Sequence, residues 1–245
     1  MMKKMLGVAL FVLCIQTAQA TENLYEQHYK AQNSGNLKSM QASPETKMYV
    51  SNHSDEDNIS MLETGYDMIG SSGFEAGSIA PDLALTHAKS IKADVVLVYS
   101  KYASKKSALS KLVMIKEAAK TMGEVNPEVM EDEEAYQYYA SYWAKLPMPL
   151  LGLHVIKLKH KEKNSDTVVA DEGLKVLAVI KGSPAFNAGL KRGDTLLSLG
   201  GVALQQPQVF PQVVRQYQGE SVSIIYERNG QSSQAQTTLN GEPRG

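Results

Sequence analysis

The sequence predicts an α+β protein: a small α/β sandwich domain, followed by a barrel-like β domain carrying two helices. Three observations lead there. Between residues 47 and 103, strand-type and helix-type patterns alternate. Leu146-Pro147-Met148-Pro149 then interrupts any regular element, since two prolines disfavour both a helix interior and a central strand. Beyond that stretch, short apolar runs are punctuated by glycine turns and end in Asn229-Gly230, the strongest short hairpin signal.

Residues 1–20 are expected to lie outside the fold. Lys3 and Lys4 precede an apolar run, Met5 to Ile15, that is too short to span a bilayer comfortably. Ala18-Gln19-Ala20 then supplies the small-x-small pattern that a signal peptidase reads. The segment predicts export to the periplasm or cell envelope, with secretion beyond it left open and Thr21 as the first mature residue. Cys14, the only cysteine, follows Phe11-Val12-Leu13 instead of the small residue that a lipid-attachment site wants. Cleavage leaves no disulfide, so stability must come from burial. The formal net charge of −1 argues against nucleic acid as a partner. No second apolar run suggests a transmembrane span after cleavage. Residues 21–46 are polar and predict a weakly ordered arm.

The first domain is expected over 47–145. Lys47 to Val50 reads as a strand. Ser54 and the acids after it suit a helix N-terminus, and Gly65 suits its end. Tyr66 to Ser72 predicts a second strand. Pro81 opens a helix with Leu85, Ala88 and Ile91 on one face, and Asp94 to Tyr99 is a β-branched run typical of a central strand. A charged insertion occupies 104–134, helical in its first half and acidic from Glu131 to Glu134. The aromatic run AYQYYASYWAK rejoins the sheet as a strand, and residues 146–149 form a hinge.

Residues 150–241 form the second domain. LLGLHVIKL is a strand, HKEKNSDTVVADE a hairpin-like insert, Gly173 to Ile180 and Thr195 to Leu199 further strands. A helix follows over about 207–217, then the hairpin of Ser221 to Glu227 with Ser233 to Leu239. Ser183-Pro184 can cap and open a short helix, Gly189 can end it, and the Asp194 side chain can satisfy loop donors beside Gly193. These features, GLKVLAVIKGSPAFNAGLKRGDTLLSLGG at 173–201, resemble a PDZ domain of the kind attached to bacterial periplasmic serine proteases. The resemblance extends over about 148–240. Gly200-Gly201 stands where the family commonly has Asn-Gly, which keeps the turn. The preceding domain is similar to a recurrent bacterial envelope α/β domain through GYDMIGSSGFEAG, HAKSIKADVVLVYS and YYASYWAKLPMP, which implies a fold and a compartment but no chemistry.

The PDZ resemblance implies a site. Leu150, Leu151, Gly152 and Leu153 would present backbone N–H groups to a C-terminal carboxylate, with Gly152 there because a side chain would obstruct the approach. Leu153, His154, Val155 and Ile156 would be the edge strand to which a peptide adds. Phe210, Val213, Val214 and Tyr217, at i, i+3, i+4 and i+7, would form the opposite wall. The implied partner is a protein or peptide C-terminus whose last residue is apolar. The plainer reading is that the groove is scaffolding and His154 an exposed strand residue.

No motif predicts an enzyme. Gly70-Ser71-Ser72-Gly73 is the nearest match to the GNSGG loop of the serine proteases, but the upstream domain is about half the needed size and lacks their His and Asp. Ser71 and Ser72 are expected as strand-end turn residues. His53-Ser54-Asp55-Glu56-Asp57 reads as a helix N-terminus in preference to a metal site, and no cofactor is expected. Tyr136, Tyr138, Tyr139, Tyr142 and Trp143 are expected in sheet packing, with a sugar-stacking face as the alternative. The sequence therefore predicts a non-catalytic adaptor or scaffold. Its alternatives are an accessory or diverged component of a periplasmic protease system, and a structural subunit of an envelope or secretion assembly.

Overall fold

β4 (Val95–Tyr102) has apolar side chains on both faces, and such a strand must be covered twice. Val96 and Val98 enter one core with Ala84 and Ala88 of α3 (Asp82–Ser90). Val95, Leu97 and Tyr99 enter another with Met61 and Leu62 of α2 (Ser54–Glu63). Between these layers lies a sheet of β1 (Tyr29–Ala31), β2 (Lys47–Ser51), β3 (Tyr66–Ala76), β4 and β5 (Tyr136–Lys145), in the order β1-β3-β5-β4-β2. β2 runs parallel to β4; the other neighbours are antiparallel. The aromatics of β5 are shared between the faces, Tyr138 and Tyr142 toward α3, Tyr139 and Trp143 toward α2. They pack the sheet.

This computed structural model describes residues 22–32, 37–103, 116, 135–163 and 166–241. The export segment expected at 1–20 and the insertion at 104–134, Lys116 excepted, lie outside the described residues. Where the insertion leaves and returns, the Ala103 N–H donates to the Ala135 carbonyl at 2.7 Å and the rings of Tyr102 and Tyr136 meet edge to face. Among the described residues no helix is long and apolar enough to cross a membrane.

Two expectations for this domain are corrected. The polar arm at 21–46 contributes structure: Asn23 caps α1 (Leu24–Gln27), and β1 pairs with β3. Tyr25 is fully buried, edge-on to Phe74 and Tyr138. One aromatic anchor outweighs the polarity averaged over the stretch. Ser71 and Ser72 are mid-strand, not strand-end, because β3 continues to Ala76. The buried Ser72 hydroxyl donates to the Tyr25 carbonyl at 2.6 Å, so it pins α1 to the sheet.

His87 of α3 is buried, edge-on to Tyr29 and Tyr142, and neither ring nitrogen has a hydrogen-bond partner among the described residues. Burial lowers its pKa below the ordinary 6.5, with Glu26 opposing in part. The unfolded chain therefore takes up this proton first. The stability that depends on a neutral His87 is complete above about pH 6.5 and is lost as the pH falls below it. Thermal melts across pH 5–8 should show a steeper acid-side decline for the wild type than for His87→Phe; parallel curves would refute this.

The second domain is built on β6 (Leu153–Ile156), β9 (Leu174–Val179), β10 (Thr195–Leu199), β12 (Ser221–Arg228) and β13 (Gln231–Thr238), in the order β13-β12-β10-β9-β6. β11 (Val202–Ala203) pairs with β10 through the positive-φ turn Gly200-Gly201. Two helices, α4 (Pro184–Asn187) and α5 (Phe210–Gln216), pack into the core of this sheet, which does not close into a barrel. β7 (Lys159–Lys161) and β8 (Val168–Ala170) form the expected separate hairpin. Asn229 and Gly230, at φ 53° and 77°, make the tight turn between β12 and β13. Ser183 caps α4, accepting from the Phe186 N–H, with Pro184 in its first turn.

Asp194 sits beneath this layer, almost wholly buried. It accepts the Lys191 N–H at 2.8 Å, as its place in the turn predicts. It is also held by both arms of the Arg228 guanidinium at 2.7 and 2.8 Å, and Arg228 further donates to the Gly189 carbonyl.

Candidate peptide-binding groove

β6 is the last strand of its sheet, so one side of its backbone faces no other strand. On the paired side the Ile180 N–H donates to the Gly152 carbonyl at 3.0 Å, and Leu153 lies opposite Val179. Bonded and non-bonded pairs alternate along an antiparallel ladder, so Leu153 directs its own N–H and C=O at the open edge. The N–H groups of Leu151 and Gly152 make no hydrogen bond among the described residues. Gly152, at φ +86°, turns the chain there. Successive unbonded amides at such a turn form a concavity suited to an anion.

A groove of about 340 Å³ opens beside these amides. Of the residues that the sequence points to, Leu150, Leu151, Gly152, Leu153, His154, Phe210 and Val214 border it. Leu151 is 2 % exposed as a whole residue, and its side chain sits in the core. The other four do not border it. Val155 packs on the core and Ile156 faces solvent. Val213 is a core residue, and the Tyr217 hydroxyl donates to the Gly200 carbonyl at 2.8 Å. The wall expected at Phe210, Val213, Val214 and Tyr217 is therefore Phe210, Pro211, Val214 and Arg215. A helix turns one stripe to the core, and its flank, one residue round, meets the groove.

The reason expected for Gly152 is also corrected. A Cβ on Gly152 would fall inside the Ser183 side chain, and φ is positive there, so glycine is required by the fold before any ligand arrives. Gly152→Ala should cost roughly 2–4 kcal/mol, from backbone strain and overpacking together. Urea unfolding checks this: a loss below about 1 kcal/mol would mean that the Ser183 contact relaxes freely. A bulky substitution at Gly152 is accordingly a poor probe of the groove alone.

The sequence gives no sign of the third wall. Gly65, in the turn after α2, and Tyr66 and Asp67, the start of β3, line the groove from the first domain, and Leu146, Pro147 and Pro149 line it from the connector. Hydrogen bonds fix this contact. The Glu63 carbonyl accepts the Lys181 N–H at 2.8 Å, the Gly65 carbonyl accepts the Leu146 N–H at 3.1 Å, and the Lys145 ammonium donates to the Thr64 carbonyl. The connector is tied down at its far end too, with the Asn240 side chain donating to the Pro149 carbonyl at 2.8 Å. Half-buried His154 lies between the walls. Burial holds its pKa below the ordinary value, and the Asp67 carboxylate opposes that shift.

Residues 149–239 match the family model described as PDZ domain. The chain is 44% identical over 57 residues to the zinc metalloprotease RasP of Shouchella clausii, covering 23% of this chain and 14% of that protein. It is 33% identical over 99 residues to the putative serine protease HhoB of Synechocystis, covering 37% and 24%. The chain thus spans less than a quarter of the length of these curated relatives. Among solved structures it is similar to the HtrA-type protease AlgW with a decapeptide, at 26% identity, 40% and 30% coverage and a TM-score of 0.33. It is also similar to the HtrA3 PDZ domain bound to a phage-derived ligand, at 15% identity, 38% and 85% coverage and a TM-score of 0.31.

Proposed function

We propose, from the PDZ domain that residues 149–239 form, that the protein is a non-catalytic adaptor that captures the C-terminus of a partner protein in the groove beside β6. One observation carries this reading: an open strand edge runs into unbonded amides at Leu151 and Gly152, beside a largely apolar groove. A peptide adding to that edge gains main-chain hydrogen bonds, while the amides meet its carboxylate. Leu150, Leu153, Phe210 and Val214 favour an apolar last side chain. The N-terminal segment, Lys3 to Ala20, supports export and action in the periplasm or cell envelope.

Titrating the full chain with C-terminal peptides ending in Val, Ile, Leu, Ala or Phe tests the groove. Amide resonances of Leu151, Gly152 and Leu153 should shift and saturate. If no peptide moves them, the groove reading fails. The protease names of the curated relatives support a second reading, an accessory that presents substrates to a protease. Capture of a protease together with the protein from envelope extracts, lost when a groove peptide competes, would favour it.

A further inference from the structure

The groove is walled by two domains, and the wall from the first domain carries a carboxylate with no cation to neutralise it. Asp67 borders the groove, half-buried, and among the described residues no Lys, Arg or His lies within ion-pair distance. One of its oxygens accepts the N–H of the next residue, Met68, at 2.8 Å, which fixes the side chain. His154 borders the same groove from β6.

Strand alternation says which part of a ligand would meet this carboxylate. Leu153 and Val155 turn their side chains to the core and α5, so His154, between them, turns to the opposite face of the sheet. A peptide added to β6 alternates in the same way. If its last side chain enters the apolar side of the groove between Leu153 and α5, its penultimate side chain lies on the face of His154 and Asp67. His154 is held toward its neutral form there by burial, so Asp67 supplies the charge.

We infer that Asp67, contributed by the first domain, selects partner C-termini with a cationic penultimate residue, Lys or Arg, ahead of the apolar last one. This rests on the groove reading above. It also gives the first domain a part in recognition, as one wall of the site.

The test uses the full chain and three labelled peptides that differ only in their last two residues: Lys-Val, Ala-Val and Glu-Val. The Lys-Val peptide should bind about three- to tenfold more tightly than Ala-Val, and Glu-Val more weakly than either. Asp67→Asn keeps the acceptor for the Met68 N–H and should remove the lysine advantage, bringing the Lys-Val and Ala-Val affinities of the variant together. Asp67→Lys should invert the order to favour Glu-Val. Equal binding of Lys-Val and Glu-Val, or a lysine preference that survives Asp67→Asn, overturns the inference but spares the groove. Failure of all three peptides to bind overturns both.

Discussion

Arg228→Ala is expected to remove about 3–5 kcal/mol from the stability of the PDZ domain. The reason is the carboxylate left behind. Asp194 is 1 % exposed, and two of its three hydrogen bonds come from Arg228, so the variant strands a buried charge with one backbone donor. The same substitution frees the Gly189 carbonyl at the end of α4. Since small domains are stable by only about 5–15 kcal/mol, a large share of the fold's margin is at stake. The pair is not interchangeable with its parts. Removing both charges, as Asp194→Asn with Arg228→Met, should cost clearly less than the sum of the single changes. Chemical denaturation of the four proteins closes the cycle. A single-variant loss under 1 kcal/mol, or strict additivity, would show that water reaches Asp194 and that the guanidinium is dispensable.

Tyr25→Ala should cost the first domain about 3–5 kcal/mol, the range for deleting a buried aromatic. Its ring is wholly enclosed and stands edge-on to Phe74 at 4.9 Å and Tyr138 at 6.2 Å. Its backbone carbonyl is the acceptor for the Ser72 hydroxyl, so loss of the ring also loosens α1 and β1 from β3. Tyr25→Phe should behave oppositely, neutral or mildly stabilising, because the Tyr25 hydroxyl is buried with no hydrogen-bond partner among the described residues. The comparison separates ring packing from the hydroxyl. If Tyr25→Phe is as damaging as Tyr25→Ala in thermal melts, the hydroxyl is satisfied and the packing argument is wrong.

The two halves differed in how far their sequence could be read. In the PDZ half, Ser183, Pro184, Gly189, Gly193 and Asn229-Gly230 act through neighbours a few residues away, as Asp194 does in accepting the Lys191 N–H; its pairing with the distant Arg228 has no such local signal. Their spacing therefore announces caps and turns, and these stand where the spacing places them. In the first half the periodicity announced α2, α3, β4 and β5, because each needs only its own apolar pattern. The polarity of residues 22–32 points to a weakly ordered arm, whereas their order depends on one ring entering a core made by β3 and β5. Local polarity carries no trace of that.

The candidate site divides along the same line. From the sequence, the resemblance to a PDZ domain implied a carboxylate loop at Leu150 to Leu153, with a helix opposite it. Local pattern supplied the helix over about 207–217 and the apolar run around Gly152. Tertiary contacts set which helix residues border the groove, why position 152 is glycine, and that Gly65, Tyr66 and Asp67 close the third side. Side chains are assigned to core or groove by the rotation of α5 against the sheet. The Gly152 constraint comes from Ser183, more than thirty residues away, and the third wall from Gly65 and the start of β3, far from the groove in sequence. Hydrophobic periodicity reports which face of an element is buried. It cannot report what buries it, since that is fixed by contacts between residues far apart in the chain.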